Sequence, residues 1–381
     1  MTLSLAAELY CLGMIVVSAY FFILAAANVL EMKICTSRPS LKEGPFVSVF
    51  IPVRNEEKNI ERCIDSLLNQ DYRDYEILVL DDNSDDNTYM IIRKLEEKDK
   101  RVRAFKGGPL PEDWYGKPFA HEQMLCHARG EILLLTDADT IHSPTSISWA
   151  VTNMKSTGAD LISGFAGQIL KTFGESVTVP LIFFLSGFLI PMFLNRFVRL
   201  GYFSLAVGQY IVLKKEVLLK TGGFSIIKKK TSEDVFLARH IKKSGYKTEF
   251  LDISNQVFCR MYDGYRSGIQ GIGKNIYDFF RKNTPVLILN ALAIFLFFCL
   301  PFPILIFSLV WPANNPFLLQ LVIVHVIHTL TWLVLFLSRG IPWYNAFTWP
   351  LMYFNLLFMV LWSFYRTLSG RGFIWKDRVV R

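Results

Sequence analysis

The sequence predicts an α/β body carried between an N-terminal membrane helix and a C-terminal block of membrane helices. Three observations lead there. The 381 residues have a mean hydropathy of +0.31, with 52% hydrophobic and only 19% charged residues, above what a water-soluble chain usually shows. The long uncharged runs are gathered into a few blocks. From Pro45 to Asp82 the pattern runs strand, loop, amphipathic helix, strand, which is a βαβ unit.

The first block comes at the start. No Asp, Glu, Lys or Arg occurs from Leu9 to Leu30, long enough as a helix to cross a hydrocarbon core of ~30 Å. The opening residues hold Glu8 and no Lys or Arg, and the run exceeds a signal-peptide core, so residues 1–31 are expected to be an uncleaved anchor with its N-terminus outside. The second block has no charge between Lys282 and Arg339, nor between Arg339 and Arg366. Prolines 301, 303, 312 and 316 divide it, which places helices near Pro285–Trp311, Phe317–Ser338 and Trp343–Tyr365 within residues 283–366. Residues 367–381 form a basic tail. Three crossings from a cytoplasmic body would leave this tail outside, whereas Arg366, Arg371, Lys376, Arg378 and Arg381 ask for the inside. Asn345, Pro350 and Asn355 make the last segment the weakest crossing. A third uncharged run, Ser176 to Asn195, lies inside the polar body, and residues 176–207 are read as an interfacial segment.

The body itself occupies residues 45–282. Phe46 to Pro52 and Tyr75 to Leu80 read as strands, and Asn55 to Asn69 as a helix with Ile60, Cys63, Ile64, Leu67 and Leu68 on one face. Two more strands are expected over Val102–Phe105 and Ile132–Thr136. The acidic pairs Asp81–Asp82 and Asp137–Asp139 therefore stand at the carboxyl ends of strands, where parallel sheets present ligand-binding residues. The net charge of +8 is interleaved with acids in Lys214–Lys215, Lys228–Lys230 and Lys242–Lys243, as on a solvated cytoplasmic face, so no nucleic-acid partner is expected. Six scattered cysteines without a CxxC pair exclude a zinc ribbon and a disulfide scaffold.

The string IPVRNEEKNIERCIDSLLNQDYRDYEILVLDDNSDDNT, then LTDADT, then GGF followed by SEDVFLARHIKKSGYK, resembles the nucleotide-sugar domain of family 2 glycosyltransferases over roughly residues 46 to 250. The resemblance implies a GT-A fold, a Rossmann-like nucleotide-diphospho-sugar transferase domain, here with N-terminal and C-terminal transmembrane helices. The whole layout, with its WYGK loop, RMY segment and terminal GRGFIWKDR, is similar to the membrane-bound branch of carotenoid-acid and hopene-associated glycosyltransferases.

That likeness assigns expected roles. A leaving diphosphate needs its charge neutralised by a divalent cation, Mg2+ or Mn2+, held by carboxylates. Asp139 is expected on the metal and Asp137 on the metal or the ribose. Asp82, with Asp81 before it, is expected to bind the donor, Asp82 reading the base. Asp234 of SEDVF is the expected general base, with Ser232 or Glu233 as helix cap. Lys117 after Gly116 is expected to meet the diphosphate, while His121 and His127 read as ordinary polar residues of the following helix. Arg260 binds either the diphosphate or a lipid phosphate. The QxxRW motif of polymer-making relatives is absent, which favours a single transfer.

The expected reaction is inverting, metal-dependent transfer of one sugar from a nucleotide-diphosphate sugar, a UDP-sugar in the first instance, to a lipophilic acceptor in the membrane. The alternative is transfer to a polyprenyl phosphate or polysaccharide synthesis. An inactive scaffold is disfavoured because every acidic site is filled. The expected setting is a multi-pass protein of the plasma membrane with its catalytic body in the cytoplasm.

Overall fold

The computed structural model describes residues 3–33, 41–184, 190–230, 232–279, 283–311, 316–369, 373–375 and 378–380. They divide into two compact units, one built from residues 31–169 and 192–261, the other from residues 1–30, 170–191 and 262–381.

Among the described residues of the first unit, eight strands form one mixed sheet in the order β3-β2-β1-β4-β7-β6-β8-β5. They are β1 (Val47–Val53), β2 (Tyr75–Asp81), β3 (Val102–Lys106), β4 (Ile132–Leu135), β5 (Thr140–His142), β6 (Leu161–Gln168), β7 (Ile211–Lys214) and β8 (Thr248–Cys259). The first four are parallel, as the βαβ pattern requires; β7 then pairs antiparallel with both β4 and β6. Every residue of β2 is buried, because helices cover both faces of the sheet. Side-chain alternation sorts the apolar residues into two layers. Val47, Val49, Ile51 and Val53 pack with helices Ile60–Leu68, Thr88–Lys98 and Ser146–Thr157, while Phe50, Leu78, Leu133 and Leu135 pack with Gly116–Leu125 and Glu233–Lys243. The helical face expected from sequence is the buried one: Ile60, Cys63, Ile64 and Leu67 are at 0% exposure. At Gly164 in β6 an added Cβ would lie 2.1 Å from the Leu251 carbonyl, so only glycine permits this approach of β6 to β8.

One polar residue interrupts β2. Glu76 is fully buried, yet its carboxylate accepts from Ser48 Oγ at 2.8 Å, the Arg129 amide at 2.8 Å and Arg103 Nη1 at 2.9 Å, with Arg129 Nη2 at 2.7 Å. Burial pushes its pKa up, but these hydrogen bonds, led by the Arg129 amide, outweigh it and hold the carboxyl below its ordinary value. The network ties β1 and β2 to the turn before β4.

In the second unit, four described helical stretches are long and apolar enough to cross a membrane: 5–33, 284–310, 318–338 and 343–368. Pro301 and Pro303 fall inside the second of these, which matches the helix expected over Pro285–Trp311. A π-helical turn at Phe295–Cys299 precedes them, and its wider hydrogen-bond spacing accommodates the missing amides. Pro350, expected to weaken the last stretch, sits in the first turn of helix Trp349–Leu368, where its lack of an N–H costs nothing. Asn355 is buried and satisfied, donating to the Val177 carbonyl at 3.0 Å and accepting from Tyr265 Oη at 2.8 Å. Polar side chains also link these helices: Ser18 Oγ meets His328 Nε2 at 3.1 Å, and Trp332 Nε1 donates to Tyr353 Oη at 3.0 Å.

The segment read as interfacial, 176–207, is shared between the two units. Val177, Val179, Leu181 and Phe183 are buried, whereas Phe197, Leu200 and Tyr202 are exposed. Positions 185–189 within it lie outside the described residues, as do Arg371, Lys376 and Arg381 of the basic tail. Phe373–Trp375 and Arg378–Val380 form an antiparallel pair.

Glu76→Ala should destabilise the α/β unit by about 3 kcal/mol, because it strands buried donors and leaves two arginines without their shared carboxylate. With the folded pKa lowered, the wild-type advantage is present above the ordinary glutamate range and disappears as pH falls through the folded value. Thermal denaturation of both proteins in detergent between pH 7 and pH 3 measures this; parallel curves would refute the linkage.

Candidate active site

The carboxyl ends of β1, β2 and β4 carry the loops with the expected residues, and local bonding explains their shape. After β1 and β2 the chain turns through Asn55 (φ 52°) and Asn83 (φ 54°), left-handed conformations that asparagine tolerates better than other side-chain-bearing residues. The two turns interlock: Asn55 N donates to Ser84 Oγ at 2.9 Å, Asp85 N to Asn55 Oδ1 at 2.9 Å, and Arg54 Nη1 to the Asp82 carbonyl at 2.8 Å. Asp81 is buried, and both its oxygens lie 3.3 Å from Ser84 N, so its carboxylate shapes this turn. Asp82 is half-buried at the strand end, its amide donating to the Val53 carbonyl at 2.8 Å.

After β4 the chain carries Asp137, Ala138 and Asp139. Ala138 is buried in the core and anchors the loop, which leaves the acids on either side half-buried. The Asp137 carbonyl accepts from Thr140 Oγ1 at 2.7 Å, and Thr136 Oγ1 donates to the Gln209 carbonyl at 2.8 Å, fixing the loop from both ends. Arg260 is half-buried one residue beyond the Thr140–Cys259 pair of β5 and β8, at the register position facing Asp139 across that pair. Burial first, then the charges of Asp139 and Asp137, push the Cys259 thiol pKa well up, so this cysteine stays protonated.

Lys117, Asp137, Glu233 and Asp234 come together. Lys117 Nζ is 2.6 Å from Asp137 Oδ1 and 3.2 Å from Glu233 Oε1. Burial alone would lower the Lys117 pKa, but Asp137 and Glu233 outweigh it and hold the ammonium above its ordinary value. Asp234 is in the first turn of helix Glu233–Lys243, where a carboxylate is favoured. Its Oδ2 accepts from Gly208 N at 2.9 Å and its Oδ1 from Val235 N at 2.8 Å. Burial, followed by the Glu233 charge, pushes its pKa up to about 7 against the opposing pull of Lys117 and the two amides. A small cavity borders Lys117, His121, Gly208, Glu233 and Asp234.

The donors suit a hard divalent cation. Asp137 and Asp139 offer two carboxylates separated by one anchored residue, and among the described residues no three His, Cys, Asp or Glu side chains form a closed cage. Such a pair is the minimal protein contribution to a Mg2+ or Mn2+ site whose other ligands are phosphate oxygens and water. The sequence reading overlooked Glu233 as a partner of Lys117, Gly208 as the amide under Asp234, and the burial of His121. Only the Glu233–Asp234 pairing of acids in SEDVF hinted at the first.

The family described as Glycosyl transferase family 2 matches residues 48–235. Among curated proteins, glycosyltransferase AglE of Haloferax volcanii is 31% identical over 122 residues, 32% of this chain and 39% of that protein. The GalNAc(5)-diNAcBac-PP-undecaprenol beta-1,3-glucosyltransferase of Campylobacter jejuni is 34% identical over 96 residues, 25% of this chain and 30% of that protein. The chain thus spans well under half the length of these relatives. The mannosyltransferase PcManGT from Pyrobaculum calidifontis, solved with GDP-Man and Mn2+, superposes with a TM-score of 0.52 at 17% identity over 92% of this chain and 99% of that one. That likeness shows the GT-A fold.

A Cβ at Gly208 would lie 2.7 Å from Lys117 Nζ and 3.7 Å from both Asp137 Oδ2 and Asp234 Oδ2. Gly208→Ala should therefore cost under about 1 kcal/mol, since only the flexible end of a lysine must move, while breaking the Lys117–Asp137 contact. A structure of the variant with the 2.6 Å pair intact would show that the cluster is less confined than described here.

Proposed function

We propose, for a chain whose residues 48–235 match the family 2 glycosyltransferases, inverting transfer of one sugar from a nucleotide-diphosphate donor to a lipophilic acceptor, with Asp234 as general base. The observation that carries this is the Asp234 carboxylate itself. Its pKa is pushed up to about 7, near the value at which a base both accepts a proton readily and stays ionised at neutral pH. Two backbone amides hold it in one orientation, and Lys117 beside it supplies a positive charge against a leaving diphosphate.

In this reading Asp82 and Asp137 hold the nucleoside end of the donor, with the turn built by Asp81 supporting Asp82. Their strands are separated by β1, which sets the strand ends about 10 Å apart at the usual spacing of neighbouring strands. Asp139, with Asp137, would hold a divalent cation, which when bound supplies positive charge to the diphosphate. Lys117 and Arg260 bind the same phosphates from the protein side. Asp234 takes the proton of the acceptor hydroxyl as its oxygen attacks the anomeric carbon from the face opposite the leaving group. No second nucleophilic carboxylate is needed. A UDP-sugar is the expected donor.

The acceptor is assigned to the membrane because the same chain carries four stretches able to cross it, and the substrate in the name of the Campylobacter relative is built on a polyprenyl carrier. Cytosolic nucleotide sugars place the α/β unit in the cytoplasm of a plasma-membrane protein. A general base at Asp234 favours an acceptor hydroxyl, which must lose its proton as it attacks. The second reading, transfer to a polyprenyl phosphate, dispenses with the base, since a phosphate is already ionised.

Asp234→Asn should lower kcat by roughly 10²-fold to 10⁴-fold with donor affinity little changed. Because the base works deprotonated, wild-type kcat should rise with pH through about 7, and the variant should lose that limb. Turnover retained in the variant supports the phosphate acceptor instead.

Asp139→Ala should abolish turnover while leaving the melting temperature near wild type, since a half-buried strand-end carboxylate contributes little packing. Calorimetry of UDP binding with and without Mn2+ gives the independent readout: the wild type should bind UDP more tightly with Mn2+, and the variant should lose that difference. Equal Mn2+ dependence in both proteins would refute the ligand assignment.

A further inference from the structure

His121 stands one turn after Lys117 on helix Gly116–Leu125, on the same face. It is only 3% exposed. Its ring is held between Phe50 and Phe224, at centroid distances of 6.4 and 5.1 Å, yet neither ring nitrogen has a hydrogen-bond partner among the described residues. Burial, followed by the Lys117 charge, pushes its pKa down to about 3, so the ring is neutral, with one N–H donor and one acceptor nitrogen. A polar ring kept in an apolar slot at a cost in desolvation calls for a ligand for those nitrogens.

The cavity beside it identifies that ligand. His121 borders it together with Lys117, Gly208, Glu233 and Asp234, and its volume of 10 Å³ suits a single water. The walls offer what a buried water requires: two carboxylates to accept from it, and an ammonium and an imidazole N–H to donate to it.

We propose that His121 is a positioning residue, which through one ordered water in this cavity hydrogen-bonds the Lys117–Glu233–Asp234 cluster and holds the Asp234 carboxylate in its working orientation. The water accepts from the imidazole N–H and donates to a carboxylate oxygen, so the ring acts on the base without touching either substrate. Phe50 and Phe224 fix the plane of the ring and thereby the direction of the N–H. This rests on the reading of Asp234 as the base.

A double-mutant cycle on the full-length protein in nanodiscs tests it, with turnover of UDP-sugars and calorimetric affinity for UDP with Mn2+ as separate readouts. His121→Phe keeps the ring and removes the nitrogens; it should lower kcat roughly tenfold with UDP affinity unchanged. His121→Gln, which restores a donor and an acceptor, should recover most of that loss. In the Asp234→Asn background, His121→Phe should have almost no further effect, because both changes act on one unit. Wild-type kcat in His121→Phe, a parallel fall in UDP affinity, or the same loss in both backgrounds would overturn the proposal. Full turnover in Asp234→Asn alone would overturn the base reading and this inference with it; a normal Asp234→Asn loss beside an unaffected His121→Phe overturns this inference alone. Melting curves verify folding, and His121→Leu replaces His121→Phe in the cycle if the latter fails to fold.

Discussion

The contacts of Lys117 with Asp137 and Glu233 are what the architecture around the candidate site depends on. They join three stretches of chain that are far apart in sequence: the start of helix Gly116–Leu125, the loop after β4, and the start of helix Glu233–Lys243. Each stretch is secured by its own core contacts, Ala120 and Met124 in one, Ala138 in the next, Leu237 and Ala238 in the last. The ammonium does not hold these elements together against unfolding; packing does that. Its effect is to let three carboxylates share a confined space that like-charge repulsion would otherwise open. The site is consequently acidic even with Lys117 in it, one cation against three carboxylates, which favours added positive charge from a metal.

Glu76 plays a comparable part at the other end of the sheet. A buried carboxylate near the start of an apolar strand is tolerated because two arginines, a serine and a backbone amide converge on it. The two acidic centres differ in one physical respect. At Glu76 hydrogen bonds outweigh burial, and the carboxyl is held ionised. At Asp234 burial and Glu233 outweigh two amides and a lysine, and the proton is held near neutrality. A structural carboxylate and a candidate base thus arise from the same side-chain chemistry in different surroundings.

In the second unit the long helices are not uniformly apolar. Ser18, His328, Trp332, Tyr353 and Asn355 form hydrogen bonds inside it. In hydrocarbon such contacts help to fix which helices neighbour one another, since apolar side chains gain little by choosing protein over lipid. The same reasoning explains why Pro301, Pro303 and Pro350 do not break their helices: each sits where a π turn or a first turn leaves the missing amide unneeded.

By itself the sequence determined what local pattern and composition can carry. Short, β-rich apolar runs specified β1 to β4 to within a residue or two, the helical face at Ile60, Cys63, Ile64 and Leu67 was readable, and charge-free runs located the four membrane-length helices. The acids at strand ends followed as well, because parallel connections always bring those ends together. Tertiary structure decided the rest. The antiparallel insertion of β7 between β4 and β6 leaves no periodic trace, since pairing partners are chosen across the fold. Whether Asp81 shapes a turn or Asp82 faces the cleft depends on the Asn55 and Asn83 turns. That Glu233 binds Lys117, that Gly208 supplies an amide to Asp234, and that His121 is buried beside them depend on contacts between residues 26 to 116 positions apart. A side chain's pKa and role are set by its neighbours in space, and only folding selects them.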